Sequence, residues 1–251
     1  MIRMELTSRI YDKNSPNLNS MREQFDDALS CLLKNYIPNT SEQTVSPHEL
    51  GESMQQFFNI LDRIEDATEN PSSEEEMDDL ANHGLRLLNE LCHLAKKLGC
   101  EESYYKFEQL SLPLAVWSAQ HHFVLNDIEI IINAISHIAN NTQDTRFLSR
   151  LAEMIEHIID SISPDIKQDL DKSNPDRPWR VLNLNHGIIA TRSLDPKRME
   201  AVFSQLLYRL PDDAAGFFAE GMEQMDIIDY PPHVRSVMQS YFQLTNQPTL
   251  H

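Results

Sequence analysis

The stretch from Pro178 to Arg192 carries apolar side chains on nearly every face of a helix that opens with proline. A helix that is apolar all round belongs in the middle of an assembly, with other elements packed about it. Yet this stretch also holds Arg180, Asn183, Asn185 and His186. Buried polar groups must find partners, either in the protein or in something it binds. The stretch therefore demands several neighbouring elements and marks its own polar side chains as candidates for function.

Those neighbours read as helices. Leu18, Met21, Phe25, Leu29, Leu32 and Tyr36 keep helical spacing until Pro38. Ser46-Pro47-His48-Glu49 is a capping-box start with proline at the first helical position. Asn70 to Glu76 ends one helix and begins another, its three glutamates favouring the new helix dipole. That helix runs from Met77 to a stop at Gly99. Tyr104 to His122 is helical, with Pro113 marking a kink or a break. Helices over Ile128–Ile138 and Phe147–Ile162 follow, then a capped turn at Ser163-Pro164. Beyond Arg192, helices start at Pro196, Pro211 and Pro232. The count is about ten, with no alternating strand pattern and no Asn-Gly or Asp-Gly hairpin turn. The expected class is all-α, with helices in antiparallel pairs forming either an α-solenoid or a bundle.

Residues 1–15 read as an N-terminal arm and 16–172 as a helical region. A polar, proline-containing linker follows, then a second helical region over 173–245 packed on the first or continuous with it. Residues 246–251 read as a frayed tail. Five glycines (Gly51, Gly84, Gly187, Gly216, Gly221) fall inside these helices, where each costs about 1 kcal/mol relative to alanine. Close approach between helices is the expected compensation.

Charge narrows the function. The net charge of −18 argues against nucleic acid and anionic membranes as partners. Residues 1–110 hold 10 Lys+Arg against 21 Asp+Glu, whereas 165–210 hold 8 against 6, so the Pro178–Arg192 helix lies in the one extended non-acidic part. Three cysteines (Cys31, Cys92, Cys100) without framework spacing point to reduced thiols and a cytoplasmic setting. The first residues lack the apolar core of a signal peptide, and no run approaches a membrane span.

No catalytic signature is present: no Gly-x-Ser-x-Gly, no phosphate-cradling glycine loop and no His-Glu-x-x-His. Glu90 and His93 form a single Glu-x-x-His where di-iron bundles need two. His121 and His122 point in different directions on a helix. Glu153 and His157 read as a surface pair, and Cys92, His93 and Cys100 lack zinc-module spacing. No metal or cofactor is expected. Glu220, Glu223, Asp226 and Asp229, leading to Tyr230 and His233, read as a solvated acidic edge, with a docking strip for a basic segment as the functional alternative.

Leu94-Ala95-Lys96-Lys97-Leu98-Gly99, followed by Tyr104 and by Leu110-Ser111-Leu112-Pro113, resembles a tetratricopeptide repeat over about 20 residues, with a shorter spacing and no recurrence of the period. The resemblance implies a stacked helical scaffold that binds protein. On that reading the chain is a non-enzymatic scaffold for a protein or peptide partner. Trp179, Arg180, Asn183 and His186 are its candidate contact residues, able to hold a peptide backbone or carboxylate. Two other readings stand beside it. One is a helical enzyme or small-molecule binder with an inter-helix pocket near His186, and the other a structural homodimer through the isoleucine- or phenylalanine-rich helices.

Overall fold

The computed structural model describes residues 17–37, 45–66 and 74–246, so the expected arm, the Asn70–Ser73 turn and the tail beyond residue 246 lie outside the described residues. The described residues form eleven helices: α1 (Leu18–Asn35), α2 (Pro47–Glu65), α3 (Glu74–Lys97), α4 (Glu101–Gln120), α5 (Glu129–Asn141), α6 (Thr145–Asp160), α7 (Pro164–Lys167), α8 (Pro178–Arg192), α9 (Pro196–Arg209), α10 (Ala214–Ile227) and α11 (Pro232–Thr245). The fold is all-α; the one extended pairing among the described residues is an isolated bridge between Leu125 and Ile162. No described helix is long and apolar enough to cross a membrane.

Local chemistry sets the helix ends. Ser46 accepts from the Glu49 amide while the Glu49 carboxylate accepts from the Ser46 amide, completing the capping box of α2. Asp195 caps α9 through the amides of Lys197 and Arg198. Gly99 turns the chain out of α3 at φ +68°. One expectation is narrowed and one is corrected. Pro113 does not break α4, which continues to Gln120 with Pro113 buried among Leu110, Leu112 and Leu114. Packing there outweighs the hydrogen bond that proline removes. Helix α10 begins at Ala214, not Pro211, because the amides of Asp213 and Ala214 both wrap onto the Leu210 carbonyl in an intervening turn.

The described residues divide into two compact units, those up to 138 together with 157–164, and 139–156 together with 165–246. In the first, α1 packs on α2, α2 on α3, α3 on α4 and α4 back on α1. This closed ring is the packing of a four-helix bundle, whereas a superhelical stack leaves its first helix away from its fourth. Phe25, Phe57, Phe58 and Phe107 fill its centre; Phe25 lies 5.7 Å from both Phe58 and Phe107. Arg22 ties α1 to α2 through Gln55, Asn59 and Asp62. A Cβ on Gly84 would stand 2.4 Å from the Phe57 ring, so the glycine is what lets α2 and α3 approach.

In the second unit α8 packs on α9, α10 on α11, and α9 on α11. Phe203, Phe218 and Tyr241 form its aromatic centre, with ring centroids 5.0–5.4 Å apart. Gly187 brings α8 against Phe217 and Leu206, where a Cβ would meet atoms at 2.6 and 3.1 Å. Gly216 is the exception among the helical glycines, since nothing lies within 4 Å of its added Cβ.

Candidate functional site

Helix α8 occupies the residues expected of it and is buried on most faces. Its start is held by charge. Arg177, immediately before the helix and 6% exposed, donates from Nε to Asp169 at 2.6 Å and from a terminal nitrogen to Asp213. Arg180 donates from Nε to the other Asp213 oxygen at 2.6 Å and from Nη1 to the Pro175 carbonyl at 2.9 Å. Burial works to raise the Asp213 carboxyl, but the hydrogen bonds from Arg180 and Arg177 outweigh it and hold the group below its ordinary range. Asp213 therefore remains a carboxylate clamped between two guanidiniums, and it does not cap α10.

The other expected contact residues have separate internal partners. Trp179 is buried and its indole N–H points to the Arg209 carbonyl at 3.5 Å, the long limit of a hydrogen bond. Asn183, 2% exposed, donates to the Trp179 carbonyl one turn back at 2.8 Å. His186, 1% exposed, donates from Nε2 to the Ala152 carbonyl at 2.9 Å, with Nδ1 3.7 Å from Glu156. Burial lowers its pKa to about 4, so the imidazole is neutral at ordinary pH. Trp179, Arg180, Asn183 and His186 thus do not converge on a shared groove. Arg180 alone of the four is partly exposed, and its guanidinium is engaged by Asp213.

The local excess of basic residues has the same fate. Arg209 donates twice to Glu156, Arg198 reaches Glu153, and Arg192 donates to the carbonyls of Ala139 and Thr142 at the C-terminal end of α5. Cations at the last carbonyls of a helix satisfy acceptors that the helix leaves open.

The first unit holds a constellation that the sequence reading passed over. Glu108 of α4 is 1% exposed, and its carboxylate accepts from the Tyr104 hydroxyl at 2.7 Å and pairs with Nδ1 of His137. The rings of Tyr105 and His137 stand 5.2 Å apart, and those of Tyr104 and Tyr105 5.3 Å apart. Beside them opens a recess of about 350 Å³ lined by Lys96, Gly99, Glu101, Tyr104, Tyr105 and His137. Burial, reinforced by the hydrogen bond to Glu108, pushes the Tyr104 phenol well above its ordinary range; it is a neutral donor. Burial, and then the Glu108 charge, raises the Cys92 thiol behind it, which therefore stays protonated. A signal was available: α4 is apolar on most faces, and Glu108 between Phe107 and Leu110 stands out by the criterion applied to Pro178–Arg192.

The remaining singled-out residues stay apart. Glu90 and His93 are exposed. His121 stacks on Trp117 at 4.0 Å, and Trp117 donates to Glu65 at 2.6 Å. Among the described residues no group of three or more His, Cys, Asp and Glu could hold a metal ion. Glu220, Glu223, Asp226 and Asp229 are exposed, with Arg235 paired to Asp226 at 2.8 Å. Comparisons of the chain with protein-family models, curated proteins and solved structures find no match.

Proposed function

We propose that the chain is a non-enzymatic helical scaffold that binds a protein partner through the end of α10, in a cytoplasmic setting consistent with its three free thiols. The observation that carries this reading is the adjacent pair Ile227 and Ile228, 76% and 48% exposed. Adjacent exposed isoleucines leave apolar area in water that a partner can cover. Glu220 and Glu223 share a helical face with Ile227, and Asp226 and Asp229 flank the pair. An apolar anchor point in acidic surroundings fits a basic segment carrying one large apolar side chain. Charge would then steer the encounter and the anchor would supply the burial. A second copy of this chain fits less well, because it brings the same acidic side chains. On this reading Trp179, Arg180, Asn183 and His186 hold the unit that presents the surface.

The test compares the tagged wild-type chain with Ile227→Asp/Ile228→Asp, both shown to be folded by circular dichroism. The captured partner is then purified and titrated at rising salt. Loss of the partner from the variant, with affinity that weakens as salt rises to about 0.5 M, supports the surface. Equal capture by both forms, or salt-insensitive affinity, removes it. A dimer that the variant abolishes assigns the face to a second copy.

A second reading, binding of a small molecule, is favoured by the recess beside Glu108. A ligand retained in native mass spectra of wild type and absent from Tyr105→Ala would support it, and retention by both would remove it.

A further inference from the structure

The ring packing of the first unit sets α1 and α4 side by side, and two contacts fix their register. The Ser103 hydroxyl donates to the Ala28 carbonyl at 2.9 Å, and Lys106 pairs with Asp27. The residue numbers rise on one helix as they fall on the other, so the helices are antiparallel. Three residues from Ala28 along α1 is Cys31; three residues from Ser103 in the matching direction is Cys100. One helical rise of about 1.5 Å per residue carries both to the same level. Asn35 lies near both: its amide donates to the Cys31 carbonyl at 3.0 Å and its side chain acts to lower the Cys100 thiol, whose sulfur lies 3.7 Å from the Leu98 carbonyl. Each thiol lies within the electrostatic reach of the other. Cys31 is half-buried, Cys100 is 8% exposed, and both are free.

We propose that Cys31 and Cys100 are an oxidative modification site, at which a low-molecular-weight disulfide such as oxidised glutathione forms an intramolecular disulfide joining α1 to α4. The accessible Cys31 thiolate attacks one sulfur of the oxidant, forming a mixed disulfide and expelling one thiolate. Cys100 loses its proton to solvent, and its thiolate attacks the Cys31 sulfur and expels the second thiolate. Two protein thiols are oxidised and one small disulfide is reduced to two thiols. Burial raises the Cys100 thiol, so the second step is the slower one near neutral pH. In a reducing compartment such a bond is transient and answers to oxidant. Cys92 takes no part, since it lies buried on α3 and burial keeps its thiol protonated.

The experiment treats the full chain with oxidised glutathione, follows intact mass and maps peptides without reduction. The expected product has lost two hydrogen atoms, yields a Cys31–Cys100 linked peptide and reverts with a thiol reductant. Cys100→Ser should stop at a stable glutathione adduct on Cys31, and Cys31→Ser should give no cross-link. The closing step should speed up about tenfold per pH unit while Cys100 remains mostly protonated. A lasting glutathione adduct on wild-type Cys31, a Cys31–Cys31 dimer, or cross-linking only after unfolding in urea would each overturn the proposal.

Discussion

His186 shows how much a single enclosed side chain decides. Its ordinary pKa of 6.5 falls to about 4 because burial disfavours the imidazolium. As pH drops through 6.5 the unfolded chain takes up a proton that the folded chain refuses until about pH 4, so stability declines across that window. The shift corresponds to a loss of about 2 kcal/mol between about pH 7 and pH 5. His186→Gln can keep a donor toward Ala152 and has no proton to gain, so urea unfolding at the two pH values should show a smaller decline for it. Equal declines would mean that the histidine titrates normally. Asp213 has the opposite charge logic. Asp213→Ala would leave Arg177 buried with one carboxylate fewer and should cost about 3 kcal/mol, because breaking a buried pair strands its partner. Arg180→Ala, which removes the more exposed member, should cost less. The ranking of the two in denaturant melts checks the assignment.

At the scale of helices, close approach is what most of the internal glycines serve. An alanine methyl at position 84 would collide with the Phe57 ring at 2.4 Å, and that ring is fully buried in the bundle. Gly84→Ala should therefore destabilise the chain by about 1–3 kcal/mol, the usual range for overpacking. Gly216 meets nothing, so Gly216→Ala should stabilise it by up to about 1 kcal/mol through helix propensity alone. Opposite signs in the two unfolding midpoints are the expected result; a loss in both would show that Gly216 is not in open helical space. The helix boundaries themselves were legible, because Ser46, Glu49, Asp195, Pro178 and Gly99 act on backbone groups within a few residues. At Pro113 local rules leave a kink and a break both open, because they assign the helix-breaking cost without knowing that the site is buried.

For the whole molecule, a net charge of −18 sets a repulsive background that the internal ion pairs only partly offset. Salt screens long-range repulsion between exposed charges more than short buried pairs such as Arg177 with Asp169. Added sodium chloride, up to about 0.5 M, should raise the midpoint of thermal unfolding. A falling midpoint would mean that exposed pairs such as Arg86 with Asp127 outweigh the net repulsion. The charge also bears on the candidate surface. The basic residues between 165 and 210 make the one extended non-acidic part of the sequence, yet five of their arginines bind carboxylates or carbonyls within the second unit.

By itself the sequence determined the all-α class, most helix limits, the buried character of Pro178–Arg192 and the need of its polar groups for partners. These follow from periodicity, capping and steric rules that act over four residues or fewer. Only the tertiary structure decided that α1 to α4 close into a ring, that Asp213 answers Arg177 and Arg180, that Glu108 is enclosed with Tyr104 and His137, and that Ser103 and Lys106 set the register of α4 on α1. Apart from Tyr104 with Glu108, one turn apart on α4, those pairings join residues far apart in the chain, and helix register and packing, set by the summed burial of many side chains, determine which ones meet.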